Sequence, residues 1–315
     1  TTTDLLYTML RKESSDALAC GNIGYALSQA VYDHGNTKRN VALEISAFQM
    51  DGLKTVEFDA YALMNLSPDH LDRYETEEEY YQAKLKMLKH SEVNIINIDD
   101  KNIMKRLDED IEYLSLSIKS KADIYVDQNW AYFNDVKLFK ISDLKLAGKH
   151  NLMNAMFAAS LAHTAGIDLK FIQEAIAEYK GVEHRLEFIR EINGVRYYND
   201  SKATNPESTQ VCLEAFDGNI HLIAGGYDKK ISFDLLKQYE NKLKSISVYG
   251  ESADLLLEVF PSANKFSNML EATEAANKLV EKGDVLVLSP ACASYDQFKN
   301  FEERGIIFKN YIKTL

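Results

Sequence analysis

The polar residues best placed to do chemistry stand directly after apolar runs. Glu44-Ile45-Ser46 closes VALEIS (41–46), and Ser67-Pro68-Asp69-His70 follows YALMNL (61–66). Asn199-Asp200-Ser201-Lys202 follows VRYY (195–198), Gly225-Gly226 follows HLIA (221–224), and Ser289-Pro290 follows VLVL (285–288). Open α/β sheets bind ligands outside the carboxyl ends of their strands. Two sheets decorated at that end imply one ligand cleft between two lobes, unless these are only turns, which are polar wherever they occur.

Each group has a specific chemistry and a plainer alternative. Glu44 and His70 could hold Mg2+, which takes oxygen ligands, few protein groups and phosphate oxygens, with the imidazole as the less usual partner. Alternatively they are a solvated strand-end carboxylate and a loop histidine capped by Asp69 or Asp72. Lys84 has Tyr80, Tyr81, Met87 and Leu88 at helical spacing around it. An amine on an apolar face is pushed toward its neutral, nucleophilic form, which can act as a base or add carbon dioxide to become a carbamate. A lysine whose stem covers apolar surface while its head reaches water is the alternative. Asn151 and Asn154 share one helical face beside Ala155 and Ala158, leaving room for a flat base whose edge two amides could read. A cap and an exposed asparagine explain them equally well. Gly225-Gly226-Tyr227-Asp228-Lys229-Lys230 has the make-up of a backbone anion nest with lysines at hand, or of an ordinary strand-to-helix turn.

Positioning these groups requires alternating strands and helices. In the first half, VALEIS, YALMNL and VNIINI (93–98) read as strands, with a helix opened by Thr76 and Glu79 in a capping-box pattern before the third. Residues 122–146 alternate at period two, as small antiparallel strands do. NLMNAMFAASLAHTAG (151–166) and DLKFIQEAIAEYK (168–180) follow as helices. LEFIREINGVRYYND (186–200) reads as a hairpin turning at Asn193-Gly194. Beyond it HLIAGG, SISVYG and DVLVLS alternate with the helices SFDLLKQYENKL and MLEATEAANKLVEKG. The pattern is α/β. It divides near residue 182 into a mostly parallel-sheet domain over 1–182 and a Rossmann-like C-terminal domain over 183–315.

Composition narrows the class. The 315 residues suit two domains, and 46% hydrophobic with 27% charged residues supply an ordinary core. A net charge of −12 argues against a nucleic-acid partner, because such affinity comes from cationic neutralisation of phosphates. Anionic small molecules remain possible where a few lysines line a cleft. No apolar run approaches the roughly 18 residues that span a bilayer, and the opening TTTDLLYTML has no basic leader region, so no membrane association is expected. Cys20, Cys212 and Cys292 show neither a disulfide framework nor metal-ligand spacing, which points to the reducing cytoplasm.

Together the motifs resemble the Mur ligase family. The matching stretches are ACGNIG (19–24), LEISAFQMDG (43–52), NLSPDHLDRY (65–74) and YYQAKLKML (80–88). They continue as GKHNLMNA (148–155), GVEHRLEF (181–188), YNDSKATNP (198–206), HLIAGGYDK (221–229) and SPACASYDQFKNFEERG (289–305), so the likeness runs from Thr1 to about Phe308. The first four recur in looser form in all Mur ligases and in folylpolyglutamate synthases. DSKATNP and SPACASYDQFKNFEERG are particular to the members that add D-glutamate.

The resemblance implies an ATP-dependent ligase of peptidoglycan synthesis, expected to be a monomer. ATP would phosphorylate the alanyl carboxylate of UDP-N-acetylmuramoyl-L-alanine, and the D-glutamate amine would displace phosphate. It implies a magnesium-binding set of Glu44, His70 and carbamylated Lys84, with two ions. Asn22 would contact the muramoyl acceptor. Asn151 and Asn154 would lie at the adenine, Arg185 at a phosphate and Asp200 at the ribose. Lys202, Thr204, Lys229, Ser294 and Phe301, with Asn300 beside them, would surround D-glutamate, and Lys202 could serve either ligand.

One departure stands out. The family carries a phosphate loop of the type G-x-x-G-K-T before the helix that begins TTTDLLYTML, and its Gly-Lys part does not occur here. The magnesium-binding hydroxyl is expected before Thr1, and the family's N-terminal UDP-binding domain has no counterpart in the sequence. The expectation is therefore a fragment that is not a competent ligase alone. The competing readings are a different Mur ligase or a folylpolyglutamate synthase, and a non-catalytic module that binds nucleotide or glutamate.

Overall fold

Apolar runs too short for helices, separated by capped helical segments, fold into two α/β units in a computed structural model that describes residues 1–315 except 36, 54, 67–73, 75 and 147. The first unit is Thr1–Lys145 with Asn151–Tyr179, and the second is Leu146–His150 with Lys180–Leu315. The chain thus passes between units a few residues before the expected boundary at 182. The short segment ahead of Asn151 joins the second unit because it packs there: Leu146 lies against Gly181, and the His150 ring and Ala215 close around Gly148.

The first unit runs α1 (Thr2–Glu13), β1 (Leu18–Gly21), α2 (Leu27–His34), β2 (Val41–Glu44), α3 (Ala47–Gly52), β3 (Phe58–Leu63) and α4 (Glu77–Leu85). It continues through a 3₁₀ turn (Lys86–His90) into β4 (Ser91–Asn97), α5 (Lys101–Met104), β5 (Leu114–Leu116), β6 (Ile124–Asp127), β7 (Trp130–Phe133) and β8 (Val136–Lys140), and closes with α6 (Lys149–Thr164) and α7 (Leu169–Glu178). Strands β1 and β2 pair in parallel as a two-stranded sheet, while β3 to β8 form a six-stranded sheet in sequence order. The pairs from β3 to β6 are parallel and the last three strands antiparallel, as the period-two alternation of 122–146 requires.

Local chemistry sets several boundaries. The Thr76 hydroxyl accepts the Glu79 N–H at 3.2 Å and starts α4. The strand expected over 61–66 lies at Phe58–Leu63 instead. Beyond Leu63, side chains replace the ladder: Asn97 Nδ2 donates to the Met64 carbonyl at 2.8 Å, and Asp100 accepts the Leu66 N–H at 3.2 Å.

The second unit runs β9 (Glu187–Ile192), β10 (Val195–Asn199), α8 (Pro206–Glu214), β11 (Ile220–Gly225), β12 (Leu243–Tyr249), α9 (Ala253–Val259), β13 (Asn264–Phe266), α10 (Met269–Asn277), β14 (Val285–Leu288) and α11 (Phe301–Thr314). The segment expected as a helix between β11 and β12 is 3₁₀, Asp234–Lys242. Strand order is β13-β12-β11-β14-β10-β9, all parallel except the edge hairpin β9–β10. That hairpin turns at Asn193 and Gly194, both with positive φ, as such two-residue turns demand. Strands β11 and β14 are buried along their whole length. One core lies on each face of this sheet, around Leu222 and Phe260 on one side and Tyr249 and Phe308 on the other.

The carboxyl end of β11 depends on glycine. Gly225 has φ +131, and a Cβ there would meet the Tyr249 carbonyl oxygen at 2.0 Å. Gly225→Ala is expected to cost on the order of 3 kcal/mol or more, through strain and overlap with backbone. Gly24→Ala has positive φ but open space around the added carbon, and should cost about 1 kcal/mol. Urea unfolding of both variants checks this, and equal losses would refute the steric reading.

Candidate functional site

In the second unit the turns after β10, β11 and β14 converge. Asn199 ends β10 and holds the first turn together: its amide nitrogen reaches His184 Nδ1 at 2.9 Å and Glu187 Oε2 at 3.0 Å, and its oxygen accepts the Ser201 N–H at 3.2 Å. The Lys202 N–H donates to the His184 carbonyl at 2.9 Å, leaving its side chain exposed with Nζ 5.7 Å from the centre of the Phe301 ring. The turn after β11 extends Lys229 Nζ to the Thr204 carbonyl at 3.2 Å. Ser294, buried, lies in the turn after β14, beside Ala293, whose carbonyl accepts the Tyr227 N–H at 2.9 Å. The structure therefore brings Lys202 to Phe301 and Lys229 to Thr204, and ties the turn of Lys229 to that of Ser294.

Three expectations change in detail. Asn300 caps α11, its side-chain oxygen accepting the Glu303 N–H at 2.8 Å, so that oxygen is committed to the helix. The turn 225–230 is not an open amide nest, because the N–H groups of Gly225, Tyr227 and Lys230 already bond Pro290, Ala293 and Asp228. Its capacity for anions resides in side chains. Asp200 is 5% exposed and inward-facing: Oδ1 accepts the Leu186 N–H at 2.9 Å and Oδ2 the Ser289 hydroxyl at 2.7 Å. Burial pushes its pKa up to about 7, against the pull of those hydrogen bonds.

Arg185 is exposed between two residues in left-handed conformation, His184 and Leu186. Each is pinned through its N–H, His184 by Glu187 and Leu186 by Asp200. Among the described residues, Glu183, His184 and Glu187 bring ligand atoms within 4.8 Å of one another. The Lys309 ammonium already bridges the two carboxylates, at 2.9 Å from Glu187, so this is an ion-pair cluster.

In the first unit the site grows from the start of α1. Gly21, at φ +107, lets β1 pass so close to β2 that a Cβ would lie 2.1 Å from the Glu44 carbonyl oxygen. That approach sets the Asn22 N–H on the same carbonyl at 2.7 Å. The Glu44 carboxylate accepts from the Asn22 amide at 3.3 Å and from the Thr3 hydroxyl at 3.4 Å. The Thr2 hydroxyl donates to Asn154 Oδ1 at 3.2 Å, and Asn154 donates on to Asn151 at 3.3 Å. Sequence reasoning missed Thr2 and Thr3. The signal was the run of three threonines opening a helix.

Lys84 lies half-buried on α4 with Nζ 4.7 Å from the centre of the Tyr80 ring. Tyr81, Met87 and Leu88 are buried, the last two in the 3₁₀ turn rather than in α4 itself. Glu44 and Lys84 share no hydrogen bond, and His70 lies outside the described residues. The carboxylate of Glu44 and the hydroxyl of Thr3 offer the oxygen donors that Mg2+ prefers.

Comparison with known proteins bears on both units. The family profile of the Mur ligase middle domain matches residues 1–162, and that of the Mur ligase glutamate ligase domain matches residues 184–292. The UDP-N-acetylmuramoylalanine--D-glutamate ligase of Caldanaerobacter subterraneus subsp. tengcongensis is 37% identical, covering 100% of this chain and 73% of that protein. The Bacillus subtilis protein of the same name is 35% identical, covering 100% and 72%. Among solved structures, MurF ligase from Thermotoga maritima in complex with ADP superposes with a TM-score of 0.69 at 19% identity, covering 99% and 78%. MurC of the same organism gives 0.66 at 16%, covering 100% and 73%. Identities this low speak to the shared fold alone.

The buried Asp200 makes a pH prediction. Its folded pKa of about 7 exceeds the free value of 3.8, so the native state holds an extra proton between those values and loses stability as pH rises through them. Asp200→Asn should therefore gain stability relative to the parent as pH rises from about 4 to about 7. Thermal melts across that range test it, and a pH-independent difference would count against a buried, protonatable Asp200.

Proposed function

Because this chain belongs to the Mur ligase family of ATP-dependent, amide-bond-forming enzymes of peptidoglycan synthesis, we propose that its own reaction is the addition of D-glutamate to UDP-N-acetylmuramoyl-L-alanine in the cytoplasm. A carboxylate oxygen of the acceptor attacks the γ-phosphorus of ATP, and ADP leaves. The D-glutamate amine then attacks the acyl carbon, expels phosphate and loses a proton. The observation that carries this reading is the convergence of the turns after β10, β11 and β14, which carry two lysines and a serine. Lys202, Lys229 and Ser294 offer two cations and a hydroxyl donor to an amino acid with two carboxylates. Names borne by relatives at 35% and 37% identity point to the same amino acid.

Roles in this reading follow the chemistry of each group. Asn151 and Asn154, linked on α6 and anchored through Thr2, present amides to the adenine edge. Exposed Arg185 meets a phosphate. Asp200 supports that contact from behind by holding the Leu186 N–H, with the ribose reached at most through its rim. Asn22 meets the acceptor beside Glu44. Glu44, His70 and a carbamylated Lys84 would hold magnesium, the carbamate forming by addition of carbon dioxide to the amine with loss of a proton, and bound magnesium would offset the charge of the triphosphate. Phe301 packs its ring beside Lys202 and helps exclude water, which would otherwise consume the activated acyl group.

Two measurements test the proposal in the intact gene product. In an amino-acid screen of phosphate release, D-glutamate should be preferred, and a preference for L-glutamate or meso-diaminopimelate would reject the substrate. Lys84→Ala should lose activity by roughly a hundredfold or more, the scale of a lost electrostatic group, with partial rescue by short-chain carboxylic acids. Full activity in Lys84→Ala would remove the carbamate from the mechanism.

A further inference from the structure

Arg304, on the first turn of α11, is the largest fully buried side chain among the described residues. A cation in that position must be surrounded by acceptors, since an unpaired buried charge is strongly destabilising. Among the described residues it forms no ion pair, and every acceptor it uses belongs to a turn of the candidate amino-acid site. Nε donates to the Ser201 hydroxyl at 2.9 Å, and Nη2 to the Ser201 carbonyl at 2.8 Å and the Cys292 carbonyl at 3.0 Å. Nη1 donates to the Ala293 carbonyl at 3.1 Å. The same Ala293 oxygen accepts the Tyr227 N–H, and the Ser201 hydroxyl donates to the Phe301 carbonyl at 2.8 Å. Two turns thereby share one guanidinium and a third joins them through the Ala293 oxygen, and each bears candidate ligand groups: Lys202 and Thr204 follow Ser201, Ser294 follows Ala293, and Lys229 follows Tyr227.

We propose that Arg304 is a positioning residue for amino-acid recognition, a buried fork that fixes the spacing of Lys202, Lys229 and Ser294 without touching the substrate. This rests on the reading of those residues as the amino-acid site. A fork is needed because one planar group supplies donors in several fixed directions at once, which an ammonium cannot do. Glycine completes the joint: a Cβ on Gly226 would lie 2.3 Å from the Ala293 oxygen and 3.2 Å from Arg304 Nη1. The adenine-side groups Asn151 and Asn154 lie outside this hydrogen-bond set, while Asp200 and Lys202 flank Ser201, so losing the fork should weaken the amino acid most and ATP to a lesser degree.

The test uses Arg304→Met and Arg304→Lys in the intact gene product, with steady-state kinetics and amide hydrogen exchange. Arg304→Met removes the charge and the donors together, and apolar replacement of a buried charge is often tolerated by the fold. It should raise the amino-acid KM roughly tenfold or more and the ATP KM by a clearly smaller factor. Exchange at the amides of 201–204 and 291–294 should quicken. Arg304→Lys, which keeps the charge but not the fork, should fall between the parent and Arg304→Met, and it carries the test should Arg304→Met not fold. Equal changes in both KM values, or an unchanged amino-acid KM in a folded variant, would overturn the proposal. If the screen described above selects another amino acid, the substrate reading fails and the KM comparison is made with that amino acid.

Discussion

Two buried ionisable groups govern the second unit, and neither can be satisfied by its neighbours in sequence. Asp200 draws its donors from Leu186 and Ser289, and Arg304 its acceptors from Ser201, Cys292 and Ala293. Desolvating either without partners would cost several kcal/mol, a large part of a typical domain's net stability. The turns at the carboxyl ends of β10 and β14 and the first turn of α11 must therefore close as one event. Function inherits this constraint, because those same turns carry the cations and hydroxyls offered to a ligand.

The first unit solves a similar problem with neutral groups. Gly21 permits the close approach of β1 to β2, which sets Asn22 and Glu44 together. Hydroxyls at the start of α1 then reach both Glu44 and the asparagine pair on α6. Partial positive charge at the amino end of a helix favours anions there, so a carboxylate, hydroxyls and amides assembled around α1 suit a phosphate-bearing ligand and its metal.

Much of this was legible in the sequence, where local chemistry decides local structure. Asn193-Gly194 specified its hairpin, Thr76 its helix start, and the largely apolar HLIA and all-apolar VLVL their places inside the sheet. Where side chains from distant segments intervene, local reading slipped. Asn97 and Asp100 take over the backbone partners of Met64 and Leu66, so the strand read at 61–66 ends at Leu63. Lys84 is flanked as expected by buried aromatics, yet Met87 and Leu88 belong to a 3₁₀ turn rather than to its helix.

By itself the sequence determined the α/β alternation, the caps, the hairpin and the motifs that mark a Mur ligase, because each depends on residues a few positions apart. Only the tertiary structure decided that Asp200 faces inward, that Asn300 spends its side-chain oxygen on a helix, that Thr2 and Thr3 join the first site and that Arg304 binds the turns after β10 and β14 at once. Those outcomes turn on which polar groups are taken out of water together. Such pairings span up to 103 residues in the second unit and 152 in the first, and no periodicity or spacing along the chain encodes them.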